Sequence, residues 1–310
     1  MNNKKVNSTI KAVILSVISI FLIIVLAVGV GTHRLGKFVK NEIVDSVFNK
    51  EETTSAADQT GDYSTTIPAF QEDGKSSTIS AQGITKLDIE WASGTVIVDS
   101  TSDGNDIKIL QDSNSTESYI SNQNGELTIK CCASNLTHSK SCNKIIKILV
   151  PSTVALNEID VSAASATAQI KANAQKIDVE TMSGAITVEA DAKTVDLKST
   201  SGSIHFNGIA SAKTELNTVS GEIDFYSSQI PPQLDFETVS GEINANVQKN
   251  EPVKIQMKTV SGNFNCNSEV LDVQIDKNNY YATSKNTNAQ TVYKTIEIET
   301  ISGNFNYIAS

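Results

Sequence analysis

Apolar residues in this chain return at fixed distances from a recurring serine. With Ser93, Ser165, Ser183, Ser201, Ser220, Ser240, Ser261 and Ser302 as origins, the residue six places earlier is Leu87, Ile159, Ile177, Val195, Thr214, Leu234, Ile255 or Ile296. Four places earlier stand Ile89, Val161, Val179, Leu197, Leu216, Phe236, Met257 and Ile298. Three places after the serine come Val96, Ala168, Ile186, Ile204, Ile223, Ile243, Phe264 and Phe305, and five after it Val98, Ile170, Val188, Phe206, Phe225, Ala245, Cys266 and Tyr307. Polar residues separate these columns, so each unit predicts two strands of period two that share one apolar interior.

The origins lie 72, 18, 18, 19, 20, 21 and 41 residues apart. The last interval spans two units, with a degenerate one around Val270 to Ile275, and the first has room for several irregular ones. A unit this short cannot bury its own apolar face, so units must stack, each strand pairing in parallel with the same strand of the next. The expected fold is all-β: a parallel β-solenoid of about twenty-residue rungs, about ten of them, making a rod on the order of 50 Å long. A β-sandwich also has short alternating strands, but it does not require the same residue type at the same place every twenty residues.

Between the two strands of each unit sits a phrase repeated almost verbatim, Thr218-Val219-Ser220-Gly221-Glu222-Ile223 and Thr238-Val239-Ser240-Gly241-Glu242-Ile243. Its Ser-Gly pairs are Ser93 and Gly94, Ser183 and Gly184, Ser201 and Gly202, Ser220 and Gly221, Ser240 and Gly241, Ser261 and Gly262, and Ser302 and Gly303. Each glycine is expected at a corner that needs a positive φ or a close backbone approach. The serine and the threonine two places before it are expected as inward hydroxyl ladders bonded to corner backbone. The residue before the serine is open. Val219, Val239, Val260 and Ile301 either finish the core or form an outward apolar stripe that would mark a partner surface.

Outward positions of the first strand are acidic: Asp88 and Glu90, Asp178 and Glu180, Asp235 and Glu237, Glu297 and Glu299, with Asp196 beside Lys198. A solvated charged face is the expectation, because neither an EF-hand loop nor a glycine-aspartate nonapeptide supports calcium. The formal net charge of -10 leaves no basic footprint for nucleic acid or anionic headgroups.

Residues 12–31 are an uncharged apolar run between Lys11 and His33-Arg34, long enough for a transmembrane helix. A cleaved signal peptide is the competing reading, since Ala27-Val28-Gly29 is a small-x-small triplet, although the run exceeds a usual signal core. The expected organisation is a cytoplasmic tail at 1–11, the membrane span at 12–31, a juxtamembrane and flexible polar linker at 32–80, and the solenoid at 81–310.

Cys131, Cys132 and Cys142 allow a disulfide between Cys142 and one of the adjacent pair in an exported domain, whereas their spacing with His138 does not suit zinc. No catalytic, cofactor or metal set is expected. The histidines, His33, His138 and His205, are scattered, and Ser-Gly recurs too often to be a nucleophile. Arg34 is the sole arginine, so the basic residue expected of a polysaccharide lyase on a parallel solenoid is missing.

The Ser-Gly-[Glu/Asn/Ser]-[Ile/Phe] phrase after Asp-[Val/Leu/Phe]-x-[Thr/Ser] strands resembles the bacterial putative-adhesin family. The opening Leu87 to Val98 and the strand ending Val150-Pro151 are similar to that family's pattern as well. The resemblance covers roughly 80–310 and implies a cell-envelope β-solenoid with no catalytic motif to carry over. The expected function is a non-enzymatic protein of the bacterial cell membrane, single-pass with its C-terminal domain outside, presenting the solenoid to an envelope protein or glycan. An accessory regulator or sensor of envelope stress is the alternative, and a carbohydrate-active enzyme the third.

Overall fold

The computed structural model describes residues 75–112, 118–131, 143–247, 251–266, 269–285, 287–288 and 290–309. The expected membrane span at 12–31, the tail before it, the spacer up to 74, Cys132 and Cys142 lie outside the described residues. Those described form strands and their connections, with no helix among them.

The strands follow in chain order as β1 (Ser76–Ser80), β2 (Lys86–Thr101), β3 (Asp106–Gln111), β4 (Tyr119–Gln123), β5 (Glu126–Lys130), β6 (Asn143–Pro151) and β7 (Leu156–Ile170). Next come β8 (Ala174–Thr181), β9 (Ile186–Val188), β10 (Ala192–Ser199), β11 (Ile204–Asn207), β12 (Ala210–Thr218), β13 (Ile223–Ser227), β14 (Gln233–Thr238) and β15 (Ile243–Val247). The chain finishes with β16 (Val253–Lys258), β17 (Phe264–Cys266), β18 (Leu271–Asp276), β19 (Asn279–Ser284), β20 (Lys294–Thr300) and β21 (Phe305–Ala309). β1 occupies the last five residues of the stretch read as spacer.

Each rung is a first strand, a Ser-Gly corner, a second strand and a return corner. In β2 and β7 one continuous strand runs through both halves. First strands pair in the spatial order β5, β2, β7, β8, β10, β12, β14, β20, β16. Second strands follow as β6, β2, β7, β9, β11, β13, β15, β21, β17. All these pairings are parallel and, apart from a register shift between Ala192 and Thr194 where β10 meets β12, in register, so the repeat columns become ladders along the stack.

The order of rungs departs from chain order at both ends, which corrects the expected sequential stacking. The first long strand, β2, lies second, beneath the later β5 and β6. The last rung, β20 and β21, is inserted between β14–β15 and β16–β17. The segment read as a degenerate parallel unit near Val270 to Ile275 is instead an antiparallel hairpin, β18–β19, laid against β16. At the other end β4 pairs antiparallel with β5, and β3 with β6, with β1 outside β3.

The four apolar columns fill the interior as expected, buried at every rung except for half-buried Phe264 and Cys266. Those two lie on β17, where the second-strand ladder stops; beyond it the Tyr280 ring of β19 packs edge-on against Phe264, centroids 6.1 Å apart. Aromatic rings run along the C-terminal half of the core, Phe206 stacked on Phe225 at 5.4 Å and Phe264 on Phe305 at 5.4 Å. Toward the other end Trp91 fills the place held from Thr181 onward by threonine or serine, opposite the small Ala163 on β7. Large opposite small keeps that layer filled without strain.

The corner glycines serve close approach. Gly94 has a positive φ of 101°, but the glycines of the other Ser-Gly corners do not. What they avoid is a side chain: a Cβ on Gly221 would overlap the carbonyl oxygen of Gly202, and one on Gly241 that of Gly221. Gly221→Ala should therefore cost about 2 kcal/mol or more of stability through overpacking against immovable backbone. Ser220→Ala, at an exposed neighbour, should change stability by no more than about 0.5 kcal/mol. Thermal unfolding of the two variants measures the difference. A chain ending at residue 293 should lose more stability than either variant, since removing β20 and β21 separates the stack from its own end.

Candidate functional site

The hydroxyls of the corner divide their work. The buried one two places before the serine accepts from the glycine N–H: Thr181 from Gly184 at 3.0 Å, Ser199 from Gly202 at 2.8 Å, Thr238 from Gly241 at 2.9 Å and Thr300 from Gly303 at 2.8 Å. This satisfies a buried donor at each Ser-Gly corner from Gly184 onward. The serine itself faces out, correcting the expected inward ladder. Ser183, Ser201, Ser220, Ser240, Ser261 and Ser302 are all exposed. Where their hydroxyls bond, they donate to the neighbouring rung's carbonyl, as Ser201 does to Met182 and Ser302 to Val239, both at 3.3 Å.

The residue before the serine is half-buried at every described corner from Met182 onward. In space the column runs Met182, Thr200, Val219, Val239, Ile301, Val260, tied by backbone bonds such as Val239 N–H to Val219 C=O and Val260 N–H to Ile301 C=O, both 3.1 Å. It belongs wholly to neither core nor surface: a narrow apolar ridge bordered by exposed serines. Cys131 is buried at the start of the insert between β5 and β6.

The outer face of the first-strand sheet is a carboxylate ladder. Parallel register places Asp88, Asp160, Asp178, Asp196, Glu215, Asp235 and Glu297 in one column, one rung apart. Lysines interleave with it: Lys176 bridges Asp178 at 2.7 Å and Glu158 at 3.1 Å, Lys198 meets Asp196 at 2.6 Å, and Lys213 reaches Glu215 at 2.5 Å and Asp235 at 3.6 Å. Crowding still leaves Asp196 Oδ1, Asp235 Oδ1 and Glu180 Oε1 buried without a hydrogen-bond partner. Burial, reinforced by neighbouring carboxylates, raises the carboxyls of Asp160, Glu180, Asp196 and Asp235 above their ordinary range. Glu237, half-buried and facing Glu299 on the next rung, is pushed up to about 7 by desolvation and by that neighbour. Among the described residues no group of three or more His, Cys, Asp or Glu is placed to hold a metal ion.

The outer face of the second-strand sheet has a different chemistry, which the repeat columns did not bring out. Asp224, Asn244, Asn306 and Asn265 form a carboxamide ladder. Asn244 Nδ2 donates to Asp224 Oδ1 at 3.0 Å, Asn306 Nδ2 to Asn244 Oδ1 at 2.7 Å, and Asn265 Nδ2 to Asn306 Oδ1 at 2.8 Å. His205, read from the sequence as solitary, heads this column with Nδ1 4.0 Å from Asp224 Oδ2 and its ring 5.2 Å from that of Tyr226. Burial works against ionisation of Asp224, but the His205 imidazole beside it and the hydrogen bond from Asn244 outweigh it and hold the carboxyl below its usual value. Two places along lies the column Asn207, Tyr226, Asn246, Ile308, around a shallow cavity of about 210 Å³. Its sequence signal is the sixth residue after each serine.

Residues 107–307 match the Toastrack DUF4097 family. The chain belongs to that family. None of the curated proteins compared with it matches. Among solved structures, it is similar to a putative adhesin from Bacteroides fragilis at 12% identity, with 76% of this chain and 98% of that one covered and a TM-score of 0.45. It is also similar to a putative adhesin from Parabacteroides distasonis at 17% identity (77% and 99% covered, TM-score 0.40) and a putative cell adhesion protein from Clostridium sporogenes at 16% (76% and 100%, 0.33).

The carboxylate ladder gives this Toastrack domain a definite pH signature. Raised carboxyl values mean that the folded state binds more protons than the unfolded chain between the ordinary glutamate value of 4.5 and the folded value of about 7 for Glu237. Stability therefore falls as pH rises through that window and is gained as pH falls through it. Glu158 and Asp224, whose carboxyls are lowered, act in the opposite sense and only below it. The unfolding temperature should be higher at pH 5.5 than at pH 8. Glu237→Gln should raise it at pH 8 and shrink the difference, which calorimetry at the two pH values measures.

Proposed function

We propose that this chain is a non-enzymatic, membrane-anchored protein of the bacterial cell envelope that presents its β-solenoid for adhesion or for contact with envelope protein or cell-wall material. The observation that supports this most is the division of labour within the repeat. Inner columns fill the core, Thr and Gly close each corner, and the outward columns remain as long periodic faces carrying charge, carboxamides and a narrow apolar ridge. Such faces offer the same group at every rung, a geometry suited to extended or repetitive partners. The apolar run at 12–31 would hold the rod at the membrane through the polar stretch that follows it.

Retention on isolated cell-envelope material tests the reading. The full chain should be retained, and a chain lacking residues 1–40 should be retained equally, because the binding surface lies in the rod. Retention of neither would remove the proposal's support. A function that depends on 1–40 while binding is unchanged would instead point to a regulator acting through its membrane segment.

A further inference from the structure

The cavity on the second-strand face lies where β11, β13, β15 and β21 reach the return corner. Gly208 lines it, and a Cβ there would overlap the carbonyl oxygen of Ala190 on the neighbouring rung. Ser227 sits beside it with its hydroxyl already donating to the Gly208 carbonyl at 2.7 Å. The walls are Asn207, Tyr226, Asn246 and Ile308, one from each of four successive rungs in register. Tyr226 is 39% exposed and Ile308 56%, so an aromatic ring and an aliphatic side chain both show to solvent here.

The contrast with the adjoining column points to a ligand. There the carboxamides of Asn244, Asn306 and Asn265 are consumed in bonds to each other and to Glu222, Asp224 and Glu242. In the cavity, the carboxamides of Asn207 and Asn246 have no side-chain partner among the described residues, although each can donate two hydrogen bonds and accept two. They flank Tyr226 two rungs apart, about 10 Å. No charged side chain lines the cavity, and the carboxylates beyond it, Asp224 in the adjoining column and Glu222 and Glu242 two places further along, repel an anion.

An exposed ring with uncommitted carboxamides on either side matches a molecule that has an apolar C–H face and a rim of hydroxyls. We infer that this cavity binds a neutral pyranoside, its C–H face on Tyr226 and Ile308 and its hydroxyls bonded to the carboxamides of Asn207 and Asn246. The volume lies below that of a drug-sized site, so it takes one ring and binds weakly, with a dissociation constant on the order of 1 mM. This rests on the presentation reading and supplies it with a ligand class.

Saturation-transfer NMR on the full chain tests it, with methyl β-glucopyranoside and methyl N-acetyl-β-glucosaminide as neutral probes and methyl β-glucuronide as the anionic one. The neutral probes should receive saturation and the glucuronide should not. Tyr226→Ala should weaken binding about tenfold or more. Asn246→Ala should weaken it too, and Tyr281→Ala, an exposed tyrosine on the β18–β19 hairpin, should leave it unchanged. Circular dichroism checks that each variant folds. No transfer to either neutral probe, transfer unaffected by Tyr226→Ala, or preference for the glucuronide would overturn the inference. If envelope retention persists while neither pyranoside binds, the site falls and the presentation reading stands.

Discussion

One backbone contact sets the terms for this rod: the approach of each corner glycine to the carbonyl oxygen of the rung beneath it. Parallel strands need a spacing near 4.8 Å, and the chain must hold that spacing while it turns between two sheets. With no Cβ at Gly184, Gly202, Gly221, Gly241, Gly262 and Gly303, the turns stack as closely as the strands. A buried hydroxyl then accepts the glycine N–H, so closeness does not leave an orphaned donor. The Ser-Gly phrase repeats because each of its residues meets a copy of itself.

The same closeness explains the two outer faces. Register that aligns glycines also aligns every outward side chain, so like groups are brought within one rung of each other whatever their chemistry. Where they are carboxylates, lysines intervene or protons are retained, as at Glu237 beside Glu299. Where they are carboxamides the repetition is favourable, since each can donate to one neighbour and accept from the other. The two faces answer one geometric constraint with opposite electrostatics.

Much of this was legible in the sequence. Four apolar columns predicted the interior almost residue for residue, because burial depends on alternation within a rung and alternation is local. The serine was misplaced because period-two counting carries Thr218 inward and Ser220 inward with it, whereas the turn between them rotates the serine out. The end rungs were not legible for a different reason. Ile296 and Ile298 of β20 suit β14 and β16 equally, so columns that make rungs interchangeable cannot state their order. Tyr226 and Asn246 escaped notice because their neighbourhood is assembled from residues twenty apart that look like ordinary polar alternation.

The displaced end rungs bear on how the chain is made. A solenoid stacked in chain order can grow at its free end as each rung leaves the ribosome. This one cannot finish that way: β16, β17 and their hairpin are synthesised before β20 and β21, yet lie beyond them. Until β20 and β21 emerge, β14–β15 and β16–β17 lack the rung that stands between them, so the far end closes only once residues 294–309 are available. Contacts of long sequence separation are made last, and they make folding slow. A chain stalled before β20 would leave an apolar rung with no neighbour, and the arrival of that one late rung becomes the event that seals the rod.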